Sequence, residues 1–199
     1  MNLFTPVVPK ILGALFYYSP KSQIIKDIIP ALVELDTAFP WKNADEVKIR
    51  AGKLSKTNPS SLEYDFSVLF EGQGEMTAPH WASVYLSPDN LLMGETTQEY
   101  RDFMEQNGIN LTTKNSEPDD SFGLMLMALS LLFEQEKDDD AKELLSNYLL
   151  TWSSRYLEFL QKAKKEANFY TDLAKLASLY LETLKEKLNL EVKKVNLYL

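Results

Sequence analysis

The chain's 199 residues hold one histidine, His80, and no cysteine, so most metal and nucleophile chemistry lacks its reagents. Without thiols there is no disulfide, thiolate zinc site, iron-sulfur ligation or thiol nucleophile. One imidazole excludes a His-rich metal site, and Ser-His-Asp chemistry would depend on a loop residue with no G-x-S-x-G elbow beside it. The phosphate-cradling patterns G-x-x-x-x-G-K-[ST] and G-x-G-x-x-G are missing, and Gly72-Gln73-Gly74 is too short to replace them. There are 29 Asp and Glu, so a carboxylate pair spaced for acid-base work can be picked almost anywhere and carries little information. The run Asp138-Asp139-Asp140 suits a solvated helix start, where the macrodipole favours negative charge. No catalytic residue, metal site or cofactor is expected from this inventory.

Three stretches are harder to assign to plain surface. They are Leu12-Gly13-Ala14-Leu15-Phe16-Tyr17-Tyr18; Leu69-Phe70-Glu71-Gly72 with Ala78 to Leu86; and Glu117-Pro118-Asp119-Asp120-Ser121-Phe122-Gly123. Aromatic residues crowd irregular backbone in the second, and acids crowd a helix start in the third. Brought together, they would form an apolar cleft with a carboxylate rim, suited to a peptide bearing arginine beside a hydrophobic run. Each also has a structural role open to it. Tyr17 and Tyr18 could plug the core with their hydroxyls at its edge. Trp81 and Tyr85 could pin a long loop to the bundle, and His80 could be a loop residue without chemistry. Asp119 or Asp120 is expected to cap the helix that follows, whose free N–H groups need an acceptor.

The elements that must position these stretches read as helices throughout. Apolar spacing predicts a helix from Lys10 to Tyr18 with Pro9 in its first turn, and a second opened by Ser22 with a kink or restart at Pro30. A turn at 39–43 leads to a polar helix over Ala44–Lys56, and Pro59 opens another that Gly72 ends. Residues 71–79 form a loop, and Ala82–Leu86, which alternates but has no partner strand, is expected to be extended loop. Thr96 or Thr97 caps a helix running to Asn107, closed by Gly108. Residues 109–118 are the one candidate internal linker. Asp119–Glu134, apolar nearly all round, is expected to be the central core helix. Helices over Asp138–Leu150, Ser153–Ala167 and Phe169–Leu188 follow, and 190–199 has no clear period. The sum is an all-α, single-domain bundle of about eight or nine helices over residues 1–199.

Composition narrows the partners. Glycine is scarce at 7 residues, which disfavours turn-rich β architectures. The net charge of −8 repels phosphate, so nucleic acid and anionic membrane surfaces are poor partners and a cationic one fits better. No apolar run approaches the roughly 20 residues that span a bilayer, and Met1–Lys10 lacks the layout of a signal peptide. A reducing cytoplasm is the simplest location.

The order and spacing of Leu-Gly-Ala-Leu-Phe-Tyr-Tyr at 12–18, Leu-Phe-x-Gly at 69–72, Pro-x-Trp-x-Ser-Val-Tyr-Leu at 79–86, Glu-Pro-x-Asp at 117–120 and Leu150-Thr151-Trp152-Ser153-Ser154-Arg155-Tyr156 resemble the TorD/DmsD family of redox-enzyme maturation chaperones. The resemblance runs through nearly the whole chain. It implies an all-helical cytoplasmic chaperone without catalytic activity or cofactor. Such a protein would bind the twin-arginine signal peptide of a molybdopterin-containing reductase, of the dimethyl sulfoxide or trimethylamine N-oxide type. Binding would hold the precursor from Tat export until folding and cofactor insertion are complete, with contact to the Tat translocase and a monomer or domain-swapped dimer both open. Carried over position by position, the leader-binding residues are Tyr17, Phe66, Leu69, Phe70, Pro79, His80, Trp81, Ser83, Tyr85, Glu117, Pro118, Asp120 and Ser121. Two positions depart from the family: Ser121 stands where Glu-Pro-x-Asp is usually followed by histidine, and His80 stands in place of the second proline of Pro-Pro-Trp. Two other readings stay open, an assembly protein that docks the folded reductase subunit without reading its leader, and a guanine-nucleotide hydrolase.

Overall fold

Proline and asparagine set where several helices begin. The computed structural model describes residues 2–74, 76–109, 117–163 and 168–199. Helix α1 (Val7–Tyr17) starts three residues earlier than the periodicity of its apolar side chains suggests, with Pro6 at its N-cap and Pro9 in its first turn. Proline is tolerated there because first-turn N–H groups have no intrahelical acceptor. Helix α2 (Gln23–Ala31) carries Pro30 next to its end and gives way to a 3-10 turn over Leu32–Thr37, which is the expected restart. Asn43 opens α3 (Ala44–Leu54) by accepting the Glu46 N–H, and Asn58-Pro59 opens a 3-10 turn that runs into α4 (Glu63–Phe70). Gly72 follows at φ +70°, a left-handed backbone that glycine adopts without strain.

The second half builds around α7 (Phe122–Glu134), ten of whose residues are buried. Helix α6 (Glu95–Gln106) precedes it, with Gly94 rather than either threonine at its N-cap, and ends with Gly108 at φ +65°. After α7 come α8 (Asp138–Glu143), a π-helical turn over Leu144–Leu149, α9 (Ser153–Lys162) and α10 (Phe169–Lys187). Residues 110–116, most of the expected linker, and 164–167, the end of the helix expected to reach Ala167, lie outside the described residues.

The expectation of an extended loop before α6 is overturned. Ala82–Leu86 is not extended loop but a short helix, α5, which brings the described residues to ten α-helices and no strand. Alternation over five residues could not reveal it, because its first turn is held from elsewhere in the chain, as described below.

Helix α1 packs along α7 more extensively than any other pair of elements. Glycine makes this close crossing: a Cβ on Gly13 would stand 2.7 Å from the Gly123 carbonyl oxygen, and one on Gly123 2.9 Å from that of Gly13. A single hydrophobic core runs through all the major helices, with Tyr85, Trp152, Tyr156 and Tyr180 fully enclosed. Helices α3 and α10 are joined by buried Asp172, whose carboxylate takes Arg50 at 2.7 Å and Lys53 at 2.5 Å. Among the described residues no helix is long and apolar enough to cross a membrane.

Candidate functional site

Two irregular stretches that precede helices, Pro79-His80-Trp81 before α5 and Glu117 to Ser121 before α7, are tied together by their own backbones. Trp81 and Ser121 form an isolated antiparallel bridge. The Phe122 N–H donates to the His80 carbonyl at 2.8 Å, and the Ala82 N–H donates to the Asp120 carbonyl at 3.0 Å. Side chains add to the joint. His80 Nε2 lies 3.1 Å from the Glu117 carboxylate, and the His80 ring stacks on Trp81 with centroids 3.9 Å apart. Two of the three sequence-predicted stretches are therefore one structural unit.

Asp120 shows why. Its Oδ2 accepts the Ser83 N–H at 2.7 Å, an N–H in the first turn of α5 that has no intrahelical acceptor. Thr97 of α6 donates its hydroxyl to the same oxygen at 3.2 Å. The expectation that Asp119 or Asp120 caps α7 is corrected: Ser121 occupies that N-cap without a side-chain bond, and Asp120 caps α5 from 37 residues further along the chain. The neighbouring Asp119 instead pairs with Arg101 of α6. Asp120 is only 1% exposed, and its Oδ1 accepts from no other residue among the described ones. Burial raises its pKa above the ordinary carboxylate value, and the Ser83 and Thr97 donors offset this only in part.

The third stretch joins through the glycine crossing. A Cβ on Gly123 would lie 3.0 Å from Tyr17 Cβ, which fixes the end of α1 against the start of α7. The Tyr17 hydroxyl pKa is raised first by burial and then by the nearby carboxylates of Glu117 and Asp119. Half-buried Tyr17 stacks edge to face with exposed Tyr18 at 5.1 Å. Phe70 of α4 meets His80 at 5.7 Å, Phe66 at 5.1 Å and Phe16 at 6.2 Å, so the His80 side of the joint backs onto an aromatic wall.

The residues carried over from the family motif divide by depth. Tyr17, Pro79, Trp81 and Glu117 are partly exposed and can touch a ligand directly. Phe66, Leu69, Phe70, His80, Pro118 and Ser121 are buried and back that surface. Ser83 and Tyr85 are fully buried, and Tyr85 packs at 5.3 Å on Trp152 inside the core. His80 reaches the neighbourhood of Ser121 through backbone pairing, while its ring turns to Glu117 and Phe70. Sequence reasoning missed Thr97 and Tyr100 of α6, which flank Asp120. Thr97 had a local reading as a helix cap, and nothing local pointed either residue at an acid some twenty positions on.

Asp120 also lines a cavity of about 330 Å³ whose walls include Ala82, Leu86, Thr96, Glu99, Tyr100, Met125 and Tyr148. The Tyr100 hydroxyl has no partner among the described residues. Burial, with Asp120 and Asp119 nearby, raises its pKa. The joint therefore carries partly exposed rings and a carboxylate at Tyr17, Trp81 and Glu117, and the cavity beside it is lined by the buried carboxylate of Asp120. Rings and carboxylates are groups that can take apolar surface and cations, and among the described residues of the site no nucleophile is paired with a base.

Comparison with known proteins finds a family and several relatives. The nitrate reductase delta subunit family profile matches residues 31–165. The chain is 34% identical over 177 residues, 88% of its length and 86% of the relative's, to the Tat proofreading chaperone DmsD of Salmonella typhimurium. It is 31% identical over 192 residues, 95% of its length and 94% of the relative's, to the probable Tat proofreading chaperone DmsD of Haemophilus influenzae. The chaperone protein TorD of Actinobacillus succinogenes is 30% identical over 115 residues, 58% of each chain.

Proposed function

The chain belongs to the nitrate reductase delta subunit family, with the TorD and DmsD chaperones, and from that membership we propose that it is a redox-enzyme maturation chaperone that reads a twin-arginine signal peptide. Its client is the precursor of a molybdopterin-containing reductase of the dimethyl sulfoxide or trimethylamine N-oxide type. Bound at the leader, the protein keeps that precursor in the cytoplasm and away from the Tat translocase until its molybdenum cofactor is inserted. It does this by binding alone, without catalysis.

The observation that carries the reading is the joint between Pro79–Ser83 and Glu117–Ser121, closed by the Trp81–Ser121 bridge and the Asp120 cap. A peptide with arginines beside an apolar run requires rings next to carboxylates, and this joint links Trp81 with Glu117 and Asp120, which supports the reading. The apolar run lies on Tyr17 and Trp81, where stacking buries ring area with little loss of side-chain freedom. The arginines meet the carboxylates of residues 117–120, as planar forks that match carboxylate geometry. The net charge of −8 draws the cationic leader in and speeds encounter.

Calorimetry with a synthetic twin-arginine leader tests the reading. Saturable binding to the wild type that is lost on combining Trp81→Ala with Asp120→Ala supports it. Absence of heat at high micromolar leader, or binding unchanged by both substitutions, overturns it.

A further inference from the structure

The extended segment 190–199, which follows α10, lies across the groove that Asp120 lines. Its Lys193 N–H donates to the Ser146 carbonyl at 2.9 Å, and its Tyr198 N–H donates to the Tyr85 carbonyl at 2.9 Å. Arg155 Nε reaches the Leu199 carbonyl oxygen at 3.3 Å. Lys193, Lys194, Val195, Asn196 and Tyr198 form one wall of the cavity, opposite residues drawn from α5, α6, α7 and the π-helical turn.

The remaining walls suit a cation. Asp120 lines the cavity with a carboxylate that is 1% exposed, pairs with no cation among the described residues, and keeps a buried Oδ1 without a hydrogen-bond partner among them. Glu99 lines the same space, and Tyr148 feels Glu143, Glu99 and Asp102. Ala82, Leu86 and Met125 supply apolar floor. A buried carboxylate without a counter-charge is costly, and a ligand cation that reaches it recovers part of that cost.

The order of residues in the segment is itself informative: two adjacent cations, Lys193-Lys194, then Val195, Leu197, Tyr198 and Leu199. That is the same chemical class of peptide as the proposed leader. Its hold is shallow, since Val195 is 37% exposed, Leu197 40% and Tyr198 46%, and a stretch with so little buried apolar area opens at low free-energy cost. Lysine also binds a carboxylate as a point charge and lacks the fork by which arginine makes two parallel bonds.

We propose that the groove between α5, α6 and the π-helical turn is the seat of the basic pair of an incoming extended peptide, and that segment 193–199 is an internal occupant which this peptide displaces. This rests on the leader-binding reading and adds to it the place of the arginines and a competitor within the chain. Displacement weakens every ligand of the groove by the same factor, so a peptide opens it only where its own affinity for the open groove is high.

The test uses the full chain. Tyr198→Pro removes the amide that bonds to Tyr85, and Lys193→Gln with Lys194→Gln removes the segment's two adjacent cations. Calorimetry with a peptide of two adjacent arginines followed by apolar residues is expected to give tighter binding in both variants, by about tenfold if the groove is open in roughly one wild-type molecule in ten. In the wild type, the same peptide is expected to accelerate hydrogen exchange at the amides of Lys193 and Tyr198. Unchanged affinity in both variants, together with unchanged exchange at 193–198 when peptide is bound, overturns the displacement. If the arginine peptide binds no form, the leader reading fails, and a synthetic copy of 193–199 added to the Tyr198→Pro protein then decides the groove alone. Saturable binding of that copy supports the seat for a basic peptide, and no binding overturns it.

Discussion

Asp172 and Asp120 are both buried aspartates, 4% and 1% exposed, and their surroundings differ in kind. Asp172 joins α10 to α3 and is matched by two cations, Arg50 and Lys53, with Arg50 held in turn by Glu46. Asp120 pairs with no cation among the described residues. Its partners are a backbone N–H and a threonine hydroxyl, and its other oxygen is buried without a partner among the described residues. A matched acid in a helix contact has the arrangement of structural glue, because its charge is already answered. An unmatched acid lining a groove keeps its attraction for a cation from outside. On the proposed function, the difference separates the frame of this molecule from its receptive surface, two roles that residue type alone would not distinguish.

The largest expected effect is on the frame. Asp172→Ala removes two charge-assisted bonds and should cost about 3 kcal/mol of stability in urea unfolding, while leader affinity of the folded protein stays at the wild-type value. A stability loss well under 1 kcal/mol, or a large fall in affinity, would break the contrast between the two acids.

Asp120→Ala should show the reverse balance. Losing the cap of α5 costs about 1 to 2 kcal/mol, partly offset by removing an uncompensated buried charge. Leader affinity should fall by about 2 kcal/mol or more, the range for truncating one partner of a buried charge pair. Asp120→Asn keeps an acceptor for Ser83, so it should lose affinity with a smaller loss of stability.

A third, smaller effect is in pH. Because burial raises the folded pKa of Asp120 above its ordinary value of 3.8, ionisation of this group weakens the fold at neutral pH. As pH falls through the raised pKa toward 3.8, the folded state takes up the proton first and the wild type gains stability relative to Asp120→Asn. Urea midpoints of the two proteins measured across that interval should diverge in this direction, and a shift of the opposite sign would contradict an unmatched Asp120. The smallest effect is in salt. Leader affinity of the wild type should weaken with ionic strength, and Asp120→Asn should show a shallower slope because one attraction subject to screening is gone.

Much of the frame could be read from the sequence, because its signals are local. Helix α7 is apolar nearly all round and is enclosed, and the prolines at 9, 30 and 59 mark first turns and a restart. Helix α5 could not be read this way. The acceptor for its first turn arrives from Asp120, 37 residues later, so no window around Ala82–Leu86 contains the cause of its conformation. The site was half legible for the same reason. Aromatic and acidic composition singled out the stretches at 12–18, 78–86 and 117–123, and family likeness supplied the residue set. Depth was not readable: Tyr85 lies in the core, whereas Tyr17 and Trp81 stay partly open. For 190–199, the missing period gave no sign that the segment docks on α5 and the π-helical turn.

The most direct test of the account is a double-mutant cycle by calorimetry, pairing Asp120→Asn in the protein with arginine-to-glutamine changes in the leader peptide. The predicted result is a coupling of about 1 kcal/mol or more, with each single change removing most of what the pair together removes. Strict additivity would mean that Asp120 and the arginines do not meet, and the leader would then have to be read elsewhere on the molecule.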